Sequence, residues 1–403
     1  MHAVAAPTSL KLVLAAGISL LTLGRIASQY QVRTFALGRA ALGSGLAHRL
    51  TPAHAHALFG RPATDLDLIV ARAGRSEPAA LGSAPPEVAA SCPTGFNELV
   101  GARLRSDRRP VVAALTDKAL VRSYASARNA TVAPLFFSGA RCDAPELAAL
   151  ADAGDFALKA THTSGCVLLV EGGVVAAHKP CGERAAVGER ATAALLRGLC
   201  DRWTRTLYDP TQWGYTQLRP GVIAEGILRA PARDAALRGA SPTARADDVK
   251  CWVFGGRTHV VQQVSERFAG SGLTTQSRLR GAFAAALAGP KHGAAGGKRD
   301  TFYARDGTAR REVSVDGSWP LDADSPALLP SDWLRSTVVP ACDALGTGLD
   351  FARVDLYRVD GGDGNAGVAL GEITMYPKAG THAFSPAGFD KELGAQWCAA
   401  LER

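Results

Sequence analysis

Short apolar runs, some broken by alternating polar residues, mark seven stretches of the chain. These are Phe156–Ala160, Cys166–Val170, Val222–Leu228, Lys250–Phe254, Thr258–Val264, Phe351–Tyr357 and Val368–Met375. Side chains alternate faces along an extended chain, so each stretch predicts a strand. Gly255-Gly256 lies between two of them and supplies the positive φ that a two-residue hairpin turn needs. The run 361–367 joins the last pair more loosely. Helical spacing of apolar residues marks Asp117–Ser126, Pro145–Ala153 and the longer amphipathic Gly188–Leu207, with Thr116 as an N-cap for the first. Hairpins mixed with helices predict an α+β fold with antiparallel sheets.

The 403 residues suffice for one large domain or a few smaller ones, and 47% apolar with 20% charged residues excludes whole-chain disorder. The formal charge of +8 is unevenly placed. Residues 1–64 hold Lys11, Arg25, Arg33, Arg39, Arg49 and Arg61 and no acid, so the remainder is close to neutral. That removes the charge argument for a nucleic-acid partner, and the aromatics are not interleaved with basic runs. Within the leader, Leu12–Gly24 is uncharged and mostly apolar, rising about 20 Å as a helix against a hydrocarbon core of roughly 30 Å. The leader reads as an organelle (plastid or mitochondrion) transit peptide, rich in Arg, Ala and Ser. The alternative is a signal or membrane anchor for the secretory pathway, with membrane contact through this segment only.

Residues 65–109 read as a poorly defined linker, Ala-, Pro-, Gly- and Ser-rich over 75–95, and 110–403 as the folded region. Gly281–Gly297 is a low-complexity insertion within about 269–298. The eight cysteines are scattered without a CxxC pair, which excludes a zinc ribbon. They read as small buried residues of a reducing compartment, a disulfide or two being left open. Asn129-Ala130-Thr131 is a single glycosylation sequon of little weight by itself.

Candidate chemistry lies in four places. On the last hairpin, alternation places Arg353 and Asp355 on one face, with Glu372 and Thr374 across from them. Two facing carboxylates repel unless a cation lies between them, and oxygen donors suit Mg²⁺ carrying nucleotide phosphates. The plainer reading is a solvated Asp–Arg pair. In Phe156–Val170 a strand ends at Lys159, and the loop Thr161-His162-Thr163-Ser164-Gly165 offers backbone N–H groups and hydroxyls to an anion. A simple hairpin with a surface lysine, and a structural His162, is the bland alternative. Lys118 and Arg122 form an i,i+4 like-charge pair. Glu225 ends one apolar strand, and Asp248 and Lys250 open another. No Walker loop (GxxxxGK[ST]) occurs.

The order of these pieces closely resembles the ATP-grasp enzymes of the teichuronopeptide-synthesis (TupA-like) type. It runs TDKALVR, FALKATHTSG, GVIAEGIL, DDVKCWVFGG, RDTFY, FARVDLY, GEITMYPKAG, then FSP and LG near the end, over roughly residues 110–397. The resemblance implies two α+β subdomains with antiparallel sheets holding ATP between them. It implies Lys159 on the α-phosphate, the Thr161–Gly165 loop over the β- and γ-phosphates, and Glu225 at the adenine–ribose hinge. Asp355 and Glu372 would bind Mg²⁺, with Thr374 where many such enzymes have Asn. Arg353 would steady the transferring phosphoryl group, and Lys118, Arg122 and Lys250 would contact phosphate or an acidic substrate. Thr163 departs from the family loop, which often has Gly there. The implied activity is carboxylate–amine ligation through an acyl-phosphate, on a small-molecule, peptide or glycan acceptor, as in cell-surface polymer synthesis. The alternatives are a kinase acting on a sugar hydroxyl and a non-catalytic nucleotide- or glycan-binding module. Joint presence of Lys159, Asp355 and Glu372 argues against the last.

Overall fold

The computed structural model describes residues 81 and 83–402, apart from 180, 182–184, 207, 233–244, 266–298, 319, 324, 326–327 and 362–365. The leader, the first part of the proposed linker and the low-complexity insertion lie outside the described residues. Two antiparallel sheets with helices packed against them make the chain α+β. The smaller has five strands, β1 (Leu135–Gly139), β2 (Phe156–Ala160), β3 (Val167–Glu171), β4 (Val174–Lys179) and β5 (Val222–Glu225), ordered β1-β5-β2-β3-β4. Its apolar face packs on helix Ala193–Trp203, whose Leu196, Leu199, Cys200 and Trp203 form one buried stripe at helical spacing. Thr192 caps that helix by accepting from Leu195 N at 3.2 Å.

The larger sheet contains β6 (Asp248–Phe254), β7 (Arg257–Ser265), β8 (Arg299–Ala304), β9 (Ala309–Arg310), β11 (Phe351–Asp360) and β12 (Ala366–Thr374), ordered β12-β11-β6-β7-β8-β9. A two-stranded pair, β10 (Ser314–Val315) with β13 (Phe384–Ser385), lies apart from both. Directly opposed residues share a face, so Asp355 is aligned with Glu372 on one side and Lys250 on the other, and Arg353 with Thr374 and Trp252. A bulge follows. Asp355 pairs with Glu372 but Leu356 with Leu370, which leaves Gly371 unmatched. A Cβ there would lie 2.6 Å from Tyr357 Cε2, so glycine is required at this kink.

Phe351, Trp252 and Phe254 on that face meet Phe96 from helix Phe96–Ser106 and Trp397 from helix Gly388–Leu401, ring centroids 4.6–6.4 Å apart. The proposed linker therefore ends earlier than its composition suggests: residues from Pro86 onward belong to the folded body, and Val88, Phe96 and Leu99 are fully buried. Alanine and proline there conceal apolar helix positions. Among the described residues no helix is long and apolar enough to cross a membrane.

All eight cysteines are paired, as Cys92–Cys398, Cys142–Cys200, Cys166–Cys181 and Cys251–Cys342. This corrects their reading as buried thiols. The partners stand 15 to 306 residues apart, so spacing alone could not reveal them.

Candidate active site

Lys159, the fourth residue of β2, lies opposite Ile223 of β5, one strand over from Glu225. Its ammonium pairs with Glu225 Oε1, and Arg122 Nη1 reaches Oε2 of the same carboxylate at 3.1 Å. Burial works against the charge on Lys159, but Glu225, with Tyr357 and Glu372 beyond it, holds its pKa well above the ordinary lysine range. Glu372 and Tyr357 belong to the larger sheet, so the influence on Lys159 crosses from one sheet to the other.

Lys118, just before helix Leu120–Ala127, holds the loop. Lys118 N donates to Thr161 O at 3.1 Å and its ammonium donates to Thr163 O. The expected like-charge repulsion with Arg122 is thereby relieved, since each side chain has its own acceptors. Burial pushes the Lys118 pKa down while Glu372 pulls it up. Thr116 does not cap helix Leu120–Ala127 as expected. Asp117 Oδ1 accepts from Ala119 N at 2.7 Å and Leu120 N at 3.1 Å, whereas Thr116 Oγ1 donates back to Ala113 O at 2.7 Å.

The loop itself differs from the expectation of a row of outward donors. His162 is buried with Nε2 on Thr206 O at 3.0 Å, and Nδ1 accepts from Gly221 N at 3.4 Å, so both ring nitrogens anchor the loop to backbone. Burial lowers its pKa to about 4. Thr161 Oγ1 donates to Gly221 O at 3.3 Å and Thr163 Oγ1 to Gly165 O at 3.2 Å. Of the three hydroxyls only Ser164 is on an exposed residue, and it lies beside Tyr208. Gly165 (φ 141°) and Cys166 (φ 50°) turn the chain back into β3, where Cys166 is tied to Cys181.

Across from this loop, Arg353 grips Asp355 with Nε and Nη2, both at 2.7 Å. Lys250 Nζ lies 2.5 Å from Asp355 Oδ2 and 2.8 Å from Asp248 Oδ2. Burial alone would raise the Asp355 pKa, but Arg353 and Lys250 outweigh it and hold the carboxyl far below the usual range. Arg353 extends to Thr374 Oγ1 at 3.2 Å and to Glu372 Oε1 at 3.8 Å, and Thr374 meets Glu372 at 3.4 Å. The cations needed between the facing carboxylates are thus the protein's own side chains. Asp248 and Tyr208 join the site beyond the predicted set. Asp248 was visible as a charge opening a buried strand, whereas Tyr208 carried no spacing signal.

The donors fit Mg²⁺ in kind: hard oxygens of Asp355, Glu372 and Thr374 on one face. Among the described residues no group of three or more His, Cys, Asp or Glu is placed to enclose a metal. A magnesium ion that keeps water and phosphate ligands needs only one or two carboxylates. Glu372, whose side chain is 34% exposed, is the more open of the two, since both Asp355 oxygens already meet cations.

No protein-family model matches the chain, and no curated protein matches it significantly. Solved structures do. A D-alanine–D-alanine ligase from Bacillus anthracis is 13% identical with a TM-score of 0.36, over 77% of this chain and 71% of that one. ATP-grasp ligase PsnB complexed with minimal precursor, Mg and ADP is 11% identical with a TM-score of 0.30, over 76% and 66%. Macrocyclase MdnC of Microcystis aeruginosa MRC, bound with precursor peptide MdnA, is 11% identical with a TM-score of 0.31, over 73% and 64%.

Proposed function

We propose that the chain is an ATP-dependent carboxylate–amine ligase of the ATP-grasp type. One observation carries the reading. Five cations (Lys118, Arg122, Lys159, Lys250 and Arg353) and four carboxylates (Glu225, Asp248, Asp355 and Glu372), from two antiparallel sheets and the start of helix Leu120–Ala127, form one connected electrostatic cluster around the Thr161–Gly165 loop. Such a mixed cluster suits a polyanion that arrives with its own divalent cation. Lys159, with Arg122, would meet the phosphates nearest the nucleoside, and Ser164 with the loop backbone the terminal ones. Asp355, Glu372 and Thr374 would hold magnesium, which neutralises charge developing on phosphoryl oxygens. Arg353 and Lys250 are fixed before any substrate arrives, so their stabilisation of a transferring phosphoryl group needs no reorganisation.

In the reaction a carboxylate oxygen of the acceptor takes the γ-phosphoryl group from ATP, releasing ADP. An amine then displaces phosphate to form the amide and loses a proton. The acceptor class is a carboxylate on a small molecule, a peptide or a glycan, as cell-surface polymer synthesis would supply. Acceptors labelled with ¹⁸O in the carboxylate should yield phosphate carrying one labelled oxygen. ADP formation with unlabelled phosphate sinks the ligase, and a stable phosphate ester would make the enzyme a kinase.

A further inference from the structure

We propose that Asn129 carries an N-linked glycan, attached while the chain passes through an oxidising secretory compartment. Two independent observations meet here. The first is the complete pairing of eight cysteines into four bonds, with none left free. Disulfides persist in secretory and extracellular environments and are kept reduced in the cytosol. A chain that uses every cysteine this way is built for the oxidising side of a membrane. The apolar run Leu12–Gly24 between Lys11 and Arg25 then acts as a secretory signal or anchor, not as a transit peptide.

The second is the setting of the sequon. Asn129-Ala130-Thr131 satisfies N-x-T with no proline at the middle position. It follows helix Leu120–Ala127, and Asn129 turns the chain in the left-handed region at φ 55°. That conformation favours Asn among non-glycine residues and ends the helix. Backbone groups hold the turn: Asn129 N donates to Ser126 O at 3.1 Å and Ala130 N to Ala125 O at 2.9 Å. Thr131 O accepts from Leu370 N at 2.7 Å, tying the turn to β12. The side chains stay outside. Asn129, Thr131, Ser126 and Ala127 are exposed, and among the described residues no hydrogen bond or ion pair involves the Asn129 amide. A bulky saccharide there displaces no packed group. The sequon has little weight in the sequence alone; in a disulfide-bonded chain with the asparagine at an exposed turn it becomes a modification site.

The co-substrate is a lipid-diphosphate-linked oligosaccharide. The Asn129 amide nitrogen bonds to its anomeric carbon and loses one proton, and the lipid diphosphate leaves.

The test uses the full chain, with its own leader, made in cells that possess such a pathway. Thiols are alkylated before lysis, and the purified protein is treated with a peptide N-glycosidase in H₂¹⁸O. Mass spectrometry should find residue 129 converted to aspartate bearing one ¹⁸O, with no alkylated cysteine. Asn129→Gln and Thr131→Ala should abolish the conversion. Thr131→Ser, which preserves the sequon, should keep it. An unmodified Asn129 in the wild type overturns the glycan, and eight alkylated cysteines overturn the compartment on which it depends.

Discussion

Two aspartates five residues apart, Asp350 just before β11 and Asp355 within it, are each held by two cations, Asp355 fully buried and Asp350 largely so. Around Asp350 the charges close on themselves. Arg103 reaches it at 2.5 Å and Arg109 at 2.9 Å, Arg109 returns to Asp107 at 2.6 Å, and Trp397 Nε1 donates to it at 3.0 Å. Arg103 also donates to the carbonyls of Phe351 and Met375 and lies 4.4 Å over the Trp397 ring. Two cations balance two carboxylates, and no side chain in the set is more than 11% exposed. Around Asp355, Lys250 and Arg353 face three carboxylates, and the third, Glu372, opens to solvent. The same residue types therefore do two jobs. A neutral, sealed cluster fastens helix Phe96–Ser106 and the C-terminal helix to the sheet, whereas the unbalanced one leaves Glu372 open to solvent. Uncompensated charge at an accessible edge separates the two.

The largest effect that would test this contrast is Asp350→Ala. It leaves Arg103 and Arg109 buried without their shared partner and should cost about 3–5 kcal/mol in unfolding free energy. Turnover per folded molecule should be unchanged, and a specific loss of activity would show that the sealed cluster is part of the site.

Glu372→Gln should behave in the opposite way. ATP turnover should fall about 10²–10³-fold, while denaturant midpoints stay within about 0.5 kcal/mol of wild type. Full activity in this variant would remove Glu372 from the chemistry.

The loop anchor gives a pH dependence. With its pKa lowered to about 4, His162 is neutral when folded and binds a proton more readily when unfolded. Its contribution is complete above about pH 6.5 and is lost as pH falls towards 4, by up to about 3 kcal/mol. Burial lowers the His382 pKa to about 4 as well, so the informative quantity is the difference between wild type and His162→Gln. Identical slopes for the two proteins over that window would refute the anchoring role.

Asp350 titrates lower. Burial would raise its pKa, but Arg103 and Arg109 bring it down to about 2 from 3.8. Being depressed in the folded state, it stabilises above pH 3.8 and loses about 2 kcal/mol as pH falls towards 2. Thermal melts of wild type and Asp350→Asn should converge in that range. The smallest effect belongs to Ser164→Ala, which should weaken ATP binding by about 0.5–1.5 kcal/mol, or roughly threefold to tenfold, in calorimetry.

Much of the site could be read from spacing. Strand alternation placed Arg353, Asp355, Glu372 and Thr374 on one face, because period two is a property of extended backbone and needs no knowledge of neighbours. Phe156–Ala160 was located to the residue. Several elements escaped, among them β1, β4, β8, helix Phe96–Ser106 and the C-terminal helix. Leu135 and Phe136 of β1 are both exposed, so no alternation marks that strand, and the two helices show their apolar faces only when they close over the same aromatic cluster. The Thr161–Gly165 loop was located, but its inward hydroxyls were not, because they answer to Gly221 and to the loop's own carbonyl at Gly165.

The sequence by itself determined the alternating strands, the hairpin glycines, the acid-free leader and the order of the charged motifs, since each depends on neighbours along the chain. Tertiary structure alone decided which cysteines pair, that Lys159 and Arg122 share Glu225, and that Arg353 and Lys250 lie between the carboxylates. Those contacts join residues 15 to 306 positions apart for the cysteines and 105 apart for Lys250 and Asp355. Only strand pairing and helix packing bring them within bonding distance, because charge and covalent pairing depend on separation in space, not along the chain.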